Sequence, residues 1–316
     1  MAVPQTAIIE NQMSFAALDD SVWIDLLDPS KAEEDQVEQY IGRNIPTREE
    51  MIEIEFSSRL YKENDVLFMT AMMISKSESP NPMLGPVTFV LTQKQLITLR
   101  YIESQAFPLF ISQIKKIDPT HRDAVVLFTT LLDAAIDRLA DILELVGRKL
   151  DHYSQTIFNP QNKTVKLDYH QLMQQIGANG DLNTKARESL VTFNRLISFF
   201  GQTAQARIDH ERKTQLATLN ADVASLSDYA NFLSTKINFL LDATLGMVNI
   251  EQNNIIKILS VAAVIFLPPT LVASIYGMNF HFMPELSWKY GYLLAIGMIV
   301  FAAWLPYKYF KYLKWL

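Results

Sequence analysis

Between Asn253 and Asn279 the chain carries small and polar residues at two interleaved spacings of seven. Asn253, Ser260, Leu267 and Ser274 form one set; Ile256, Ala263, Thr270 and Gly277 form the other, offset by three. A 3.5-residue period of this kind lies on one face of a helix. The oxygens on that face belong to amides and hydroxyls, and no carboxylate occurs between Glu251 and Glu285. A small divalent cation holds its water shell tightly, and stripping it requires charged ligands. Amide, hydroxyl and backbone oxygens instead accept hydrogen bonds from the bound waters. The chemistry this face suits is therefore contact with a hydrated cation. It reads equally as a helix–helix interface, where small residues let backbones approach. Around a symmetry axis the two readings merge.

The elements that must position this face are two apolar runs. Ile258 to Tyr276 is nineteen residues without a charge, ~28 Å as a helix and close to a bilayer's hydrocarbon thickness. A second uncharged run covers Tyr290 to Tyr307. The short connection makes a membrane hairpin. Lys308, Lys311 and Lys314 follow the second run, whereas the connection has Lys289 against Glu285. The positive-inside rule puts both termini in the cytoplasm and the connection outside. Pro268-Pro269 interrupts the first run. Proline lacks an N–H, so the carbonyls of Val264 and Ile265 lose helical partners, by a packing kink or toward a pore.

Composition bounds the alternatives. The 316 residues carry net charge −6 and no Cys. An acidic balance argues against a nucleic-acid partner and fits a preference for cations. Disulfides and thiolate metal sites are excluded. The first twenty residues have neither a basic start nor an apolar core, so no signal peptide is expected. No nucleotide-binding fingerprint is present, and no nucleotide partner is expected. Nor is enzymatic activity: His152, His170 and His210 stand singly and no nucleophile elbow or zincin motif occurs.

Tyr276-Gly277-Met278-Asn279-Phe280, then Met283-Pro284-Glu285-Leu286 and the closing Lys314-Trp315-Leu316, resemble the CorA family of magnesium transporters, chiefly over the last quarter of the chain. The resemblance implies a selectivity filter at Gly277, Met278 and Asn279. It also implies a pore lined by Asn253, Ile256, Leu259, Leu267 and Thr270. Ile256, Leu259 and Leu267 would form apolar constrictions that gate by dewetting. Glu285 in the external loop would attract cations, although His281 stands where the family often has an acid. The family closes on Mg²⁺ bound between subunits; Glu53 and Asp222 fall in the matching regions, and Ile52 replaces a second acid. The implied protein is a pentameric transporter of Mg²⁺, with Co²⁺ and Ni²⁺ as secondary ions, in the bacterial inner membrane. A divalent ion gains about 4.6 kcal/mol per 100 mV of inside-negative potential, over three decades of concentration. Entry then needs no other energy source, and regulation consists of closing the pore.

The chain before the hairpin reads as residues 1–118 in a mixed α/β domain, 119–207 in antiparallel helices and 208–276 in one stalk helix that continues as the first span. Residues 277–289 are the external loop, 290–307 the second span and 308–316 a basic tail. The expected fold class is thus an α+β cytoplasmic domain, a small sheet with flanking helices, followed by a very long stalk helix and a two-helix transmembrane hairpin, in a funnel-shaped homo-oligomer. Strand-like runs are Val22–Leu27, Val66–Ile74, Val87–Leu91 and Leu96–Leu99. Thr47 begins a capping box for a helix to about Ser57. Helical periodicity runs from about Pro119 to Phe158, then from Lys166 to Ile176, resuming after Gly177-Ala178-Asn179-Gly180-Asp181 and closing at Gly201. Asp133, Asp137 and Asp141 form an acidic row on a solvated face. Leu216, Leu219, Val223, Leu226, Ala230, Leu233, Ile237, Leu240, Thr244 and Met247 make a heptad seam. A lone helix cannot bury such a seam, so self-association about an axis is expected.

Two other functions fit parts of this pattern. One is a Zn²⁺ or other transition-metal carrier of the same superfamily. The other is a membrane-anchored scaffold or signalling protein whose hairpin only tethers it to the lipid bilayer. An anchor needs neither the polar face nor Asn279.

Overall fold

The computed structural model describes residues 7–8, 21–53, 55–118, 121–158, 168–279, 281, 283–313 and 315. The chain divides into two units, Met1–Leu241 and Asp242–Leu316. The first is built on a sheet that, among the described residues, has six strands: β1 (Ala7–Ile8), β2 (Trp23–Leu27), β3 (Leu60–Glu63), β4 (Val66–Ser75), β5 (Met83–Leu91) and β6 (Leu96–Arg100). Their order is β1-β2-β6-β5-β4-β3. The β1–β2 and β2–β6 pairs are parallel, and the others antiparallel.

One face of the sheet closes over Ile24, Leu26, Phe68, Val90, Ile97 and Leu99, with Val37 from α1 (Lys31–Ile41) and Met51 from α2 (Arg48–Met51). The Thr47 capping box forms, but the helix it starts is short. Ile52 ends it, and α3 (Phe56–Arg59) is separate. The other face meets α5 (Ala124–Phe158) and α6 (Tyr169–Thr203) through Phe89, Phe128 and Phe200, stacked edge to face. Beyond Met69, β3 no longer accompanies β4. There the Met72 N–H donates to Thr192 Oγ1 at 2.9 Å, and Ser189 Oγ donates to the Met72 carbonyl at 2.5 Å. Two hydroxyls of α6 thus satisfy a strand edge that would otherwise be open. Helix α4 (Ala106–Ile114) packs Phe107 and Phe110 against Trp23.

Two expectations about the helices are corrected. Gly177–Asp181 is no turn, for α6 runs unbroken to Thr203, past Gly201. Within it Gly180 faces α7 and Asn179 bonds back to its own helix. A Cβ at Gly180 would lie 3.5 Å from Ile237, and Asn179 Nδ2 donates to the Gln175 carbonyl at 2.7 Å. The expected start at Lys166 falls outside the described residues.

The second correction concerns α7 (His210–Tyr276), 67 residues without a break. Its seam is not left for a second chain. Leu216, Leu219, Val223, Ala230, Leu233, Ile237 and Leu240 are all buried within the single chain. Asn183 of α6 donates to the Ala230 carbonyl at 3.0 Å and to Ser234 Oγ at 2.8 Å. Lys236 pairs with Asp151 of α5 at 2.6 Å. The heptad spacing describes a helix seated in the groove between α5 and α6 of its own unit. The expected self-association would have to use another face.

Candidate functional site

In the second unit α7 continues as an apolar helix, and α8 (Gly291–Tyr312) follows a single 3₁₀ turn at Pro284–Ser287. Both are long and apolar enough to cross a membrane, and their apolar stretches are almost wholly exposed, unlike a core helix. Within this unit the α7 positions that lose exposure include Val261, Ile265, Pro268, Val272 and Tyr276. On α8 they include Gly291, Ala295, Ile299, Ala302 and Pro306. Both sets recur at three and four residues, as helix faces must. At the outer end a cavity of about 450 Å³ lies between them, lined by Ala273, Tyr276 and Gly277 on one side and Gly291, Ala295 and Ile299 on the other.

The polar face is a different one. Asn253, Ile256, Leu259, Ser260, Ala263, Leu267, Thr270, Ser274 and Gly277 are all exposed. Gly277 also borders the cavity between α7 and α8, but the other small residues at sevenfold spacing are not consumed in packing the hairpin. Thr270 Oγ1 donates to the Phe266 carbonyl at 2.7 Å, which leaves its lone pairs to accept from water. Pro268 and Pro269 sit inside the helix, so the carbonyls of Val264 and Ile265 have no i+4 N–H. Ile256, Leu259 and Leu267 expose 59%, 64% and 65% of their surface, the large apolar members of a row that is otherwise small or polar.

The helix ends where this face ends. Gly277 N–H donates to the Ala273 carbonyl at 3.0 Å and Met278 N–H to that of Ile275 at 3.3 Å. A Cβ at Gly277 would fall 3.3 Å from the Ala273 oxygen, tighter than side chains ordinarily approach. Met278 and Asn279 follow, both exposed. Asn279 thus lies just past a helix C-terminus, where the macrodipole is negative and favours a cation. Glu285 lies in the 3₁₀ turn, and its side chain falls outside the described residues.

The two proposed regulatory acids sit apart in environment. Glu53 is exposed just after α2, with its N–H on the Glu50 carbonyl at 3.3 Å. Burial pulls the Arg59 guanidinium below its usual range, and the charges of Glu188 and Glu53 oppose this. Asp222 is exposed on α7. Burial first, then Asp137 and Asp222, push the Asp133 carboxyl up. Burial, Asp141 and Asp222 do the same for Asp137. The acidic row on α5 is thus only partly a solvated face, and Asp222 belongs to its surroundings. Among the described residues no group of three or more His, Asp or Glu forms a metal-holding cluster.

Sequence reasoning missed a buried network in the sheet. Arg100 grips Asp25 with Nε at 2.9 Å and Nη2 at 2.6 Å, Thr98 Oγ1 donates to Asp25 at 2.7 Å, and Trp23 Nε1 donates to Thr98 at 3.1 Å. Its partners lie some seventy residues apart, and nothing in local spacing announces them.

Comparison with known proteins decides the family. A family model described as CorA-like Mg²⁺ transporter protein matches residues 19–311. The chain belongs to that family. Magnesium transport protein CorA of Yersinia pseudotuberculosis is 34% identical over 312 residues, 97% of each chain. Magnesium transport protein CorA of Escherichia coli is 35% identical over 296 residues, 94% of this chain and 92% of that one. The solved structure of the CorA magnesium transporter from Methanocaldococcus jannaschii shares the fold, with TM-score 0.75 at 19% identity over 98% of this chain and 95% of that one. CorA-family proteins are ion transporters, not enzymes, and this member carries the two apolar helices of a membrane hairpin.

Proposed function

We propose that this CorA-family chain is a Mg²⁺ transporter of channel type, a homo-pentamer in the bacterial inner membrane with both termini in the cytoplasm. The inside-negative potential drives Mg²⁺ inward, and Mg²⁺ bound on the cytoplasmic side closes the path. One observation carries this reading: the carboxylate-free face from Asn253 to Gly277 is exposed, is not used, Gly277 apart, in the hairpin's own packing, and leads to an exposed Asn279 at a helix C-terminus. Copies of that face around an axis make a wall of amide, hydroxyl and carbonyl oxygens that accepts from the waters of a hydrated ion. Ile256, Leu259 and Leu267 interrupt it as constrictions that shut by drying. Gly277, Met278 and Asn279 form the outer filter, Glu285 draws cations toward it, and Glu53 and Asp222 are the regulatory ligands. Co²⁺ and Ni²⁺ are secondary ions; Zn²⁺ is a weaker competitor.

The test is uptake of Mg²⁺, Co²⁺, Ni²⁺ and Zn²⁺ into proteoliposomes under an imposed potential. Mg²⁺ uptake that grows with the potential and exceeds Zn²⁺ uptake is expected. Uptake of Zn²⁺ alone, or of no ion at any potential, overturns the reading.

A further inference from the structure

The hairpin's second end carries chemistry that ion permeation does not use. Lys257 on α7 places Nζ 5.0 Å from the ring centre of Trp315. Lys308 lies 4.8 Å above Trp304, and Lys311 5.9 Å above Tyr307, both on α8. Three ammonium groups, one from the first helix and two from the second, thus lie against aromatic rings at one end of the hairpin. Trp315 is held there by its N–H on the Phe310 carbonyl at 3.0 Å and by stacking on Phe310 at 5.6 Å. No carboxylate side chain occurs from residue 286 onward, and on α7 none follows Glu251. None of the three lysines takes part in a salt bridge among the described residues.

The surroundings are those of a lipid boundary. Trp304, Tyr307 and Trp315 are about half exposed, and Phe301 and Leu305, one turn or less deeper along α8, are exposed by 59% and 53%. Amphipathic rings of this kind settle at headgroup depth, with apolar neighbours among the acyl chains. A ring face holds an ammonium in place yet leaves its protons free to donate. A free anion would gain nothing from the apolar flank, whereas an anchored one would.

We propose that Lys257, Lys308 and Lys311, with Trp304, Tyr307 and Trp315, form a binding site for the phosphate headgroup of an anionic phospholipid in the cytoplasmic leaflet. The site rests on the membrane orientation given above but not on which ion is carried. Lys257 closes it from α7, so occupancy ties the base of the long helix to the end of its partner. Each lysine near a membrane surface contributes about a fivefold preference for anionic lipid.

The experiment is native mass spectrometry of the full-length protein released from mixed phosphatidylglycerol and phosphatidylcholine bilayers, counting retained lipids of each kind. The wild type should retain phosphatidylglycerol in preference. Lys257→Gln should lower that preference about fivefold, and the Lys257→Gln/Lys311→Gln pair about twenty-five-fold. Lys257→Arg should restore it, and Lys289→Gln, at the other end of the hairpin, should leave it unchanged. Variants are compared only when they elute as the same assembly as the wild type; should the pair disassemble, the single Lys257→Gln and Lys257→Arg variants decide. Equal retention of the two lipids by the wild type, an unaltered preference in Lys257→Gln, or displacement of the lipid by millimolar inorganic phosphate overturns the proposal. Lipid retention is read without ion flux, so a protein that keeps the preference but carries no Mg²⁺ would refute the transport reading alone.

Discussion

Asn183 of α6 donates its amide to the Ala230 carbonyl of α7 at 3.0 Å, while its own side-chain oxygen is buried and accepts nothing. The bridge therefore holds two helices together and carries an unsatisfied acceptor. Replacing the amide with a carboxylate sets a buried anion against a carbonyl. Asn183→Asp should destabilise the first unit by about 3 kcal/mol at neutral pH. Its folded-state pKa would be raised, so the loss should shrink as pH falls. Asn183→Ala removes the orphaned oxygen together with the bonds to Ala230 and Ser234 and should cost only about 1 kcal/mol. Urea unfolding at two pH values checks both.

Asn279→Ala removes the amide acceptor at the helix end. Mg²⁺ uptake should fall about tenfold or more, the loss of one good hydrogen bond to the ion's water shell, while the assembly persists. Flux into proteoliposomes beside the elution volume of the detergent-solubilised protein measures the two separately. Wild-type flux in an intact assembly would remove Asn279 from the filter.

Gly277→Ala tests the helix end itself. A methyl group 3.3 Å from the Ala273 carbonyl forces the last turn to shift and moves Asn279 with it. Uptake should drop severalfold without loss of thermal stability beyond about 1 kcal/mol. Equal flux would show that the close approach of residue 277 to the last turn does not set the filter.

Closure should depend on Glu53 and Asp222. Carboxylates brought together between subunits repel, and a divalent ion relieves this. Neutralising both to Ala should weaken inhibition by Mg²⁺ on the domain's side, read as flux against Mg²⁺ concentration there. An unchanged midpoint and depth would exclude the pair.

Asp133 and Asp137 give a pH dependence with a definite sign. Burial and neighbouring carboxylates raise both pKa values. The folded state therefore binds protons more readily than the unfolded one. Their contribution favours folding below the ordinary carboxylate range and is lost as pH rises through the raised values. Asp133→Asn/Asp137→Asn should stabilise the first unit at neutral pH by at most about 1 kcal/mol, since both groups remain partly solvated. The advantage should vanish in acid. A variant less stable than wild type at pH 7 would contradict this.

The hairpin and its polar end were legible because charge-free length and sevenfold spacing are local properties. The seam of α7 was equally legible as a pattern, but not its partner. Three-and-four spacing marks any stripe that is buried, whichever chain supplies the groove, and here α5 and α6 supply it. Gly177–Asp181 carries the composition of a turn, yet it lies inside α6, where Gly180 faces Ile237 of α7. The pairing of Asp25 with Arg100, and of Lys257 with Trp315, joins residues distant in sequence, and no periodicity encodes such meetings. The opposite case is Asn279, whose place after a helix end followed from Gly277.

The burial of Leu216–Leu240 within one chain also orders events in biosynthesis. The helices α5 and α6 that hold this stripe precede it in sequence, so both are already synthesised when the stripe leaves the ribosome. Synthesis at about 5–20 residues per second leaves some seconds before the last 75 residues are complete. The first unit can seat the buried stripe of α7 while the hairpin is still being made. Under the proposed oligomer, what the nascent chain then offers to its sisters is a finished surface rather than an unfolded one, and assembly becomes a meeting of folded bodies at the membrane.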